Sequence, residues 1–363
     1  MSLPPELPVK IYMTRLSLPT SQRVQFEKIF RTQSPQSNSD LANASALRNE
    51  LLLVIDKSSP EAVIASIEKY LPYLYSIVLC CDTPGTFRLN EHMSFKWSSF
   101  ISKTFNSGYS IRFELVMVLM SLGMAHYNRA YDLNESSNED NFDDNAKLIS
   151  NHIKIAAGIF EFINRVEIPR GVHQTDEFQI ECSSNMSLAM TMLCISLGNA
   201  LTVRKALKQG TSHQVIAKIS CEAWHKSEMT KSLLKDDAHN YKRLPKTFRN
   251  YLTSNLLLQH AITLKEMAMA SVDSKHYGVG LTYFSQAMPL LSKIKKPSDA
   301  RQQSIVTSLM SEIERENQTL TRENQVLYFD VKVDPKTLEA PQPKGLISAT
   351  MFQPPMPIFT DII

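Results

Sequence analysis

From Cys182 to Val203 the chain runs for 22 residues without a charged side chain. That is long enough to cross a bilayer, but Ser183, Ser184, Asn185, Ser187, Thr191, Ser196, Asn199 and Thr202 make it too polar for lipid. The segment is therefore read as a buried helix, which demands a body with other helices to cover it.

The sequence offers those helices. Beyond Trp97 the pattern is almost wholly helical, with Ser110 to Ala130, Asp143 to Val166, Ser184 to Lys208, His213 to Leu234, Lys246 to Ser271, Gly278 to Leu291 and a long charged piece from Ser298 to Leu327. Leu41 to Ile55 and Pro60 to Leu79 precede them, the latter with proline in its first turn. Short connections favour antiparallel helical hairpins stacked in a row, and no fixed 34-residue period marks a regular repeat array. Val9 to Leu16 and His92 to Trp97 are strand candidates, Ser34 to Ser39 reads as a turn, and Asn134 to Asn145 as a solvated acidic loop. Six of the 18 prolines fall in the last 29 residues, so that tail either wraps the body as extended chain or hangs free.

With 363 residues, 43% of them hydrophobic, the chain can build one large or two ordinary domains. The net charge of +3 gives no case for a general nucleic-acid or membrane-surface binder, but the charge is unevenly placed. Ala130 to Glu181 carries 11 acids and 4 bases, and Ala200 to Asn250 carries 11 bases and 4 acids. Five cysteines, without CxxC or metal-ligand spacing, fit reduced thiols in the cytosol, and MSLPPELPVK lacks the apolar run of a signal peptide.

The basic half contains LTVRKALKQGTSHQVIAKISCEAWHKSEMTK, Leu201 to Lys231, two helices broken at Gly210-Thr211-Ser212. In the second, Ile216, Ala223, Trp224 and Leu234 share an inward face. Val215 and Ile219 fall on its flank beside Lys218, Glu222 and Lys226, at or near the surface. Two readings fit that pair: a docking patch ringed by charge, or a core edge with one stray exposed residue.

No residue pattern supplies catalytic chemistry. HExxH, GxGxxG, GxxxxGK[ST] and GxSxG are absent, and none of the nine histidines pairs with a carboxylate at metal-binding spacing. Cys80-Cys81 on an apolar helix end reads as packing. Trp224 and Tyr241 lie among basic residues, but aromatics are not interleaved as base-stacking platforms. No metal, cofactor, nucleic acid or membrane span is expected.

Several segments together resemble one family. LNEHMSFKWSSFI, from Leu89 to Ile101, and SIRFELVMVLMSLGMAHYNRA, from Ser110 to Ala130, are similar to the Bro1 domain, where a strand ending in tryptophan precedes a helix opening with an aromatic-Glu pair, here Phe113-Glu114. AAGIF at Ala156, MSLAMTML at Met186, RKALKQGTSHQVIAKI at Arg204 and ENQVLYFDVKV at Glu323 follow in the family's order. The likeness spans about residues 50 to 335.

The resemblance implies a mainly α, curved, boomerang-like domain over 1–335, with tetratricopeptide-like helical hairpins and a small sheet near the N-terminal side, followed by an extended proline-rich tail over 336–363. It implies a non-catalytic, cytoplasmic adaptor recruited to endosomal or plasma-membrane ESCRT sites. Its partner would be the C-terminal amphipathic helix of a Snf7-type ESCRT-III subunit, bound on a concave surface. Matched position by position, the family's contacts fall on Thr202, Val215 and Ile219 as apolar positions, Lys218 as the lysine and Asp143 as the acid, with Lys205 and Lys208 steering an acidic partner. Thr202 replaces an aromatic residue. Tyr328 matches a phosphorylation and docking tyrosine, packing being the alternative. The chain ends without a long C-terminal extension or the Cys-a-a-X of BROX-like members, which favours the short fungal PalC type of alkaline pH signalling. Two other functions stay open: a scaffold whose tail segment QPPMPIF, Gln353 to Phe359, is the ligand, and a hydrolase with a dispersed site.

Overall fold

A computed structural model describes residues 10–171, 179–236, 238–294 and 300–361. Val9 of the expected strand, Ser298 and Asp299 of the expected last helix, and residues 1–8, 362 and 363 lie outside them.

The chain opens with an irregular arm, then a short helix α1 (Phe26–Ile29), strand β1 (Phe30–Arg31) and helices α2 (Pro35–Val54) and α3 (Pro60–Asp82). Strand β2 (Arg88–Leu89) pairs with β1, and β3 (Phe95–Ser99) forms an antiparallel hairpin with β4 (Ser102–Gly108). Helices α4 (Ile111–Ser136), α5 (Phe142–Phe162), α6 (Ser184–Lys208), α7 (His213–Asp236), α8 (Ala238–Arg243), α9 (Lys246–Asp273), α10 (Tyr277–Ser292) and α11 (Ala300–Glu323) follow. Packing proceeds from neighbour to neighbour, α2 on α3, α3 on α4, and so on through α6, α7, α9, α10 and α11, so the body is a row of helical hairpins.

Serines set several starts. Ser34, Ser59, Ser110 and Ser183 each accept a backbone N–H three residues on, capping α2, α3, α4 and α6. The Ser34 cap, with Pro35 in the first turn, makes helix of the stretch expected as a turn at Ser34 to Ser39. At the other end of α6, Gly210 takes a left-handed φ of 68°, Thr211 N–H donates to Ala206 O and Gly210 N–H to Leu207 O. This double closure turns the chain sharply into α7.

The uncharged run lies in α6 and is buried as the sequence requires. Ser187, Thr191, Ser196 and Asn199 all sit inside, and each finds a partner, Ser196 Oγ donating across to Ala223 O at 2.7 Å. Among the described residues two helices, α3 and α6, are long and apolar enough to span a bilayer, and both have most of that stretch inside the protein.

A charged knot closes the N-terminal end. Glu114 of α4 accepts from Arg48 Nε at 2.7 Å, Trp97 Nε1 at 2.6 Å and Tyr70 OH at 3.3 Å, all fully buried, while Arg48 also donates to Gln22 O and Ser21 Oγ. The tryptophan and glutamate that stood out in sequence thus meet directly.

The strand expected over Val9 to Leu16 is not formed among its described residues. Two asparagines of α4 stand in for a partner strand: Asn134 exchanges hydrogen bonds with Ile11 N–H and O, and Asn128 with Leu16 N–H and O, all at 2.8 to 3.0 Å. A carboxamide offers the same donor and acceptor as a peptide group, so the extended arm is satisfied on a helix.

After α11 the chain makes one π turn, Asn324–Tyr328, stopped by Phe329 at φ 54°, and then becomes an extended strap. The strap crosses the helices in reverse order: Val333 N–H meets Thr282 Oγ1 of α10, Lys344 N–H meets Lys218 O of α7, Leu346 N–H meets Asn199 Oδ1 of α6, Thr350 N–H meets Lys154 O of α5, and Ile358 N–H meets Ser76 Oγ of α3. Phe352 packs edge-on against Phe162, and Phe359 lies tilted against Tyr73. Glycines make room for it, since a Cβ at Gly158 would stand 1.6 Å from Thr350 O, and one at Gly198 2.7 Å from Ile347. Of the two fates expected for the tail, wrapping is the one observed.

Candidate functional site

The basic stretch lies where α5, α6, α7 and the strap converge. Between α5, α6 and the strap runs a groove of about 450 Å³, with Thr202 and Lys205 on one side, Ala146, Lys147 and Lys154 on the other, and Leu346 and Ile347 of the strap as the third wall. Thr202 turns its hydroxyl back to Gly198 O at 2.9 Å, so that polar group is satisfied within α6. Leu346 remains 52% exposed although its N–H is anchored on buried Asn199, which presents an apolar side chain at a fixed place.

The residues singled out in sequence fall into three places. Thr202 and Lys205 share the groove. Asp143, at the start of α5, pairs with Lys208, at the end of α6, at 3.0 Å, and the Lys208 ammonium also stands 5.4 Å from the centroid of the Phe142 ring. Both partners of that pair are largely exposed, so it is worth little in stability, but it neutralises two charges that were expected to act separately. Lys218 and Val215 lie on α7, Lys218 on the side where the strap crosses.

Of the two readings open for Val215 and Ile219, a docking patch or a core edge with one stray exposed residue, the positions match the second: Ile219 is 2% exposed and belongs to the core, whereas Val215 is 39% exposed. Helix α7 packs on both α6 and α9, so its buried arc is wider than the single inward face drawn from sequence. Ile216, Ala223 and Leu234 are inside as expected, and Trp224 is half-buried.

A buried ionic cluster fixes this corner. His213, the first residue of α7, is 2.7 Å from Glu266 Oε2, and Lys265 bridges Glu266 and Glu312 at 3.1 and 2.6 Å. The hydrogen bond to Glu266 holds the His213 imidazole above its ordinary range. Burial alone would favour the neutral acid at Glu266, but His213 and Lys265 outweigh it and hold that carboxyl low. Arg204, also buried, is pushed down by desolvation, opposed by Glu312 and Glu266. The cluster ties α6, α7, α9 and α11 together beneath the break at Gly210.

The groove walls given by Leu346, Ile347, Lys147 and Lys154 were not singled out in sequence. Nothing local marks them, because the strap's position over α5 and α6 depends on contacts more than 140 residues away along the chain.

Elsewhere, burial pushes the Cys80 thiol up to about 11 and Cys81 up to about 12, away from the thiolate a nucleophile needs. Among the described residues no three His, Cys, Asp or Glu side chains stand together as a metal site. Tyr328 lies flat on Tyr277, ring centroids 3.6 Å apart.

Comparison with known proteins places this geometry. The chain matches the family described as BRO1-like domain over residues 7–362. Among solved structures it is similar to the Bro1 domain of ALIX in a complex with CHMP4C, at a TM-score of 0.78 and 17% identity, covering 97% of this chain and 99% of that one. ALIX in complex with the SIVmac239 PYKEVTEDL late domain aligns with the same TM-score, 0.78, at 17% identity over 96% of this chain and 50% of that one. A Bro1 domain described as the structural basis for endosomal targeting aligns at a TM-score of 0.71 and 14% identity, over 96% and 93%. No curated protein sequence matches the chain.

Proposed function

The chain belongs to the BRO1-like domain family, and we propose that it is a non-catalytic adaptor whose groove between α5, α6 and the strap receives the C-terminal amphipathic helix of a Snf7-type ESCRT-III subunit. The ALIX domain aligned over nearly the whole chain is one solved with CHMP4C. The observation that carries the reading is the groove itself: an apolar wall of Leu346, Ile347 and Ala146 with Lys147, Lys154 and Lys205 on its rim. Apolar floor and basic rim fit a helix with one apolar face and acidic flanks. Val215 and Lys218 extend the surface along α7, and Thr202 leaves the groove open where a larger side chain would fill it. Through such a partner the protein would reach endosomal or plasma membranes without inserting into them.

The test is a titration of a Snf7-type C-terminal peptide by fluorescence anisotropy. Leu346→Asp and Val215→Asp, both on exposed positions, are expected to weaken binding by tenfold or more, and Lys205→Glu to slow association mainly. Equal affinities for wild type and Leu346→Asp would remove the groove from the binding surface. Ile219→Asp is unsuitable, because a carboxylate at a core position unfolds the helix pair before it reports on docking.

A further inference from the structure

A second cavity, of about 280 Å³, lies between α7, α9, α10 and the first part of the strap, apart from the docking groove. Trp224, His260, Tyr283, Gln286, Glu339 and Pro341 are among its walls. The Trp224 indole lies flat on the His260 imidazole, with centroids 3.8 Å apart and planes 5° from parallel. Burial, and after it the neighbouring His225, push His260 down to about 4, so the stacked ring is uncharged at neutral pH. Tyr283 donates its hydroxyl to Glu339 O at 2.8 Å. Burial and the nearby Glu339 carboxylate push that phenol up, so it too stays neutral.

What the walls lack is as informative as what they hold. Among the described residues no lysine or arginine lines the cavity, although it opens beside the most basic stretch of the chain, and the one acidic side chain among those walls is the exposed Glu339. Electron-rich rings, one carboxylate and the Gln286 carbonyl make a local seat for a cation. A planar one is favoured, since a guanidinium stacks on aromatic rings while its N–H groups reach a carboxylate and an amide oxygen.

The geometry points to a receptor site for one arginine side chain of a partner protein, seated against the half-buried Trp224 ring and paired with the Glu339 carboxylate. The site stands independently of the ESCRT-III reading, because none of the groove residues named above lines it.

Trp97 is fully buried and Trp224 is the other of the two tryptophans, so tryptophan emission reports on this cavity. The experiment titrates N-acetyl-arginine amide into the full chain, with N-acetyl-citrulline amide as the neutral isostere. Arginine is expected to give a saturable change in emission, with citrulline at least tenfold weaker and Glu339→Gln lowering arginine affinity fivefold or more. Glu339 is exposed and its contact with Tyr283 of α10 is through the backbone carbonyl, so Glu339→Gln keeps the fold. Leu346→Asp is expected to bind arginine as wild type does, which keeps the outcome separate from that of the groove. No saturable response to arginine, equal responses to arginine and citrulline, or unchanged affinity in Glu339→Gln would each overturn the proposal.

Discussion

Glu114 is a carboxylate without access to water, held by Arg48, Trp97 and Tyr70. Removing one side of a buried ion pair leaves the other uncompensated, at a cost of about 3–5 kcal/mol. Arg48→Met should therefore lower the urea midpoint steeply, and the emission of Trp97, deprived of a well-fixed partner, should shift with it. Histidines give a second handle. His126 and His152 join α4 to α5 through their Nδ1 atoms at 2.9 Å, and burial pushes His126 down to about 4 and also lowers His152. Between the usual imidazole value of about 6.5 and about 4 the unfolded chain takes up protons that the folded pair refuses. Their contribution is present above that window and is lost as pH falls through it. His213 has the opposite sign: raised by Glu266, it stabilises fully below about 6.5 and loses its contribution as pH rises through its elevated value. Urea midpoints at pH 7.5 and pH 5 should show a smaller acid loss for His126→Gln than for wild type, and a larger one for His213→Gln.

Among the elements, the strap is held in a channel cut by small residues. Gly158→Ala would by propensity alone favour α5 by about 1 kcal/mol, yet its new methyl would occupy the position of Thr350 O. The expected outcome is a lifted strap over intact helices: faster tryptic cleavage at Lys344 with unchanged helical circular dichroism. What the sequence revealed, and what it did not, also divides by element. Helix α6 is bounded at Ser184 and Lys208 in sequence and structure alike, because its cap and its charge-free span are local features. The N-terminal arm reads as a strand in sequence because the groups that satisfy it, Asn128 and Asn134, are over 100 residues away. Strand β4, SKTFNSG, was missed because its side chains are mostly exposed and carry no alternation. In the groove, Thr202 and Lys205 were legible as part of the resemblance, but Leu346 and Ile347 were not, since a proline-rich tail gives its path no signature.

For the molecule as a whole, the helices form a row in which each mainly touches its neighbours, and the strap runs back over α10, α7, α6, α5 and α3. It joins residues 282 positions apart, Ile358 and Ser76, so it couples the two ends of the row. Deleting residues 340 to 363 should lower stability and abolish peptide binding together, whereas Val215→Asp should lower binding alone. Comparing thermal midpoints with anisotropy on the two chains checks this, and a truncated chain that still binds would place the docking surface off the strap.

Leu346 and Ile347 also set an order in time. They are synthesised after every helix they cover, so during translation the row of hairpins emerges from the ribosome with its groove one wall short. On the docking role proposed for this groove, a nascent or prematurely terminated chain would be unable to sequester the ESCRT-III helix, and only molecules translated past Ile347 would compete for it.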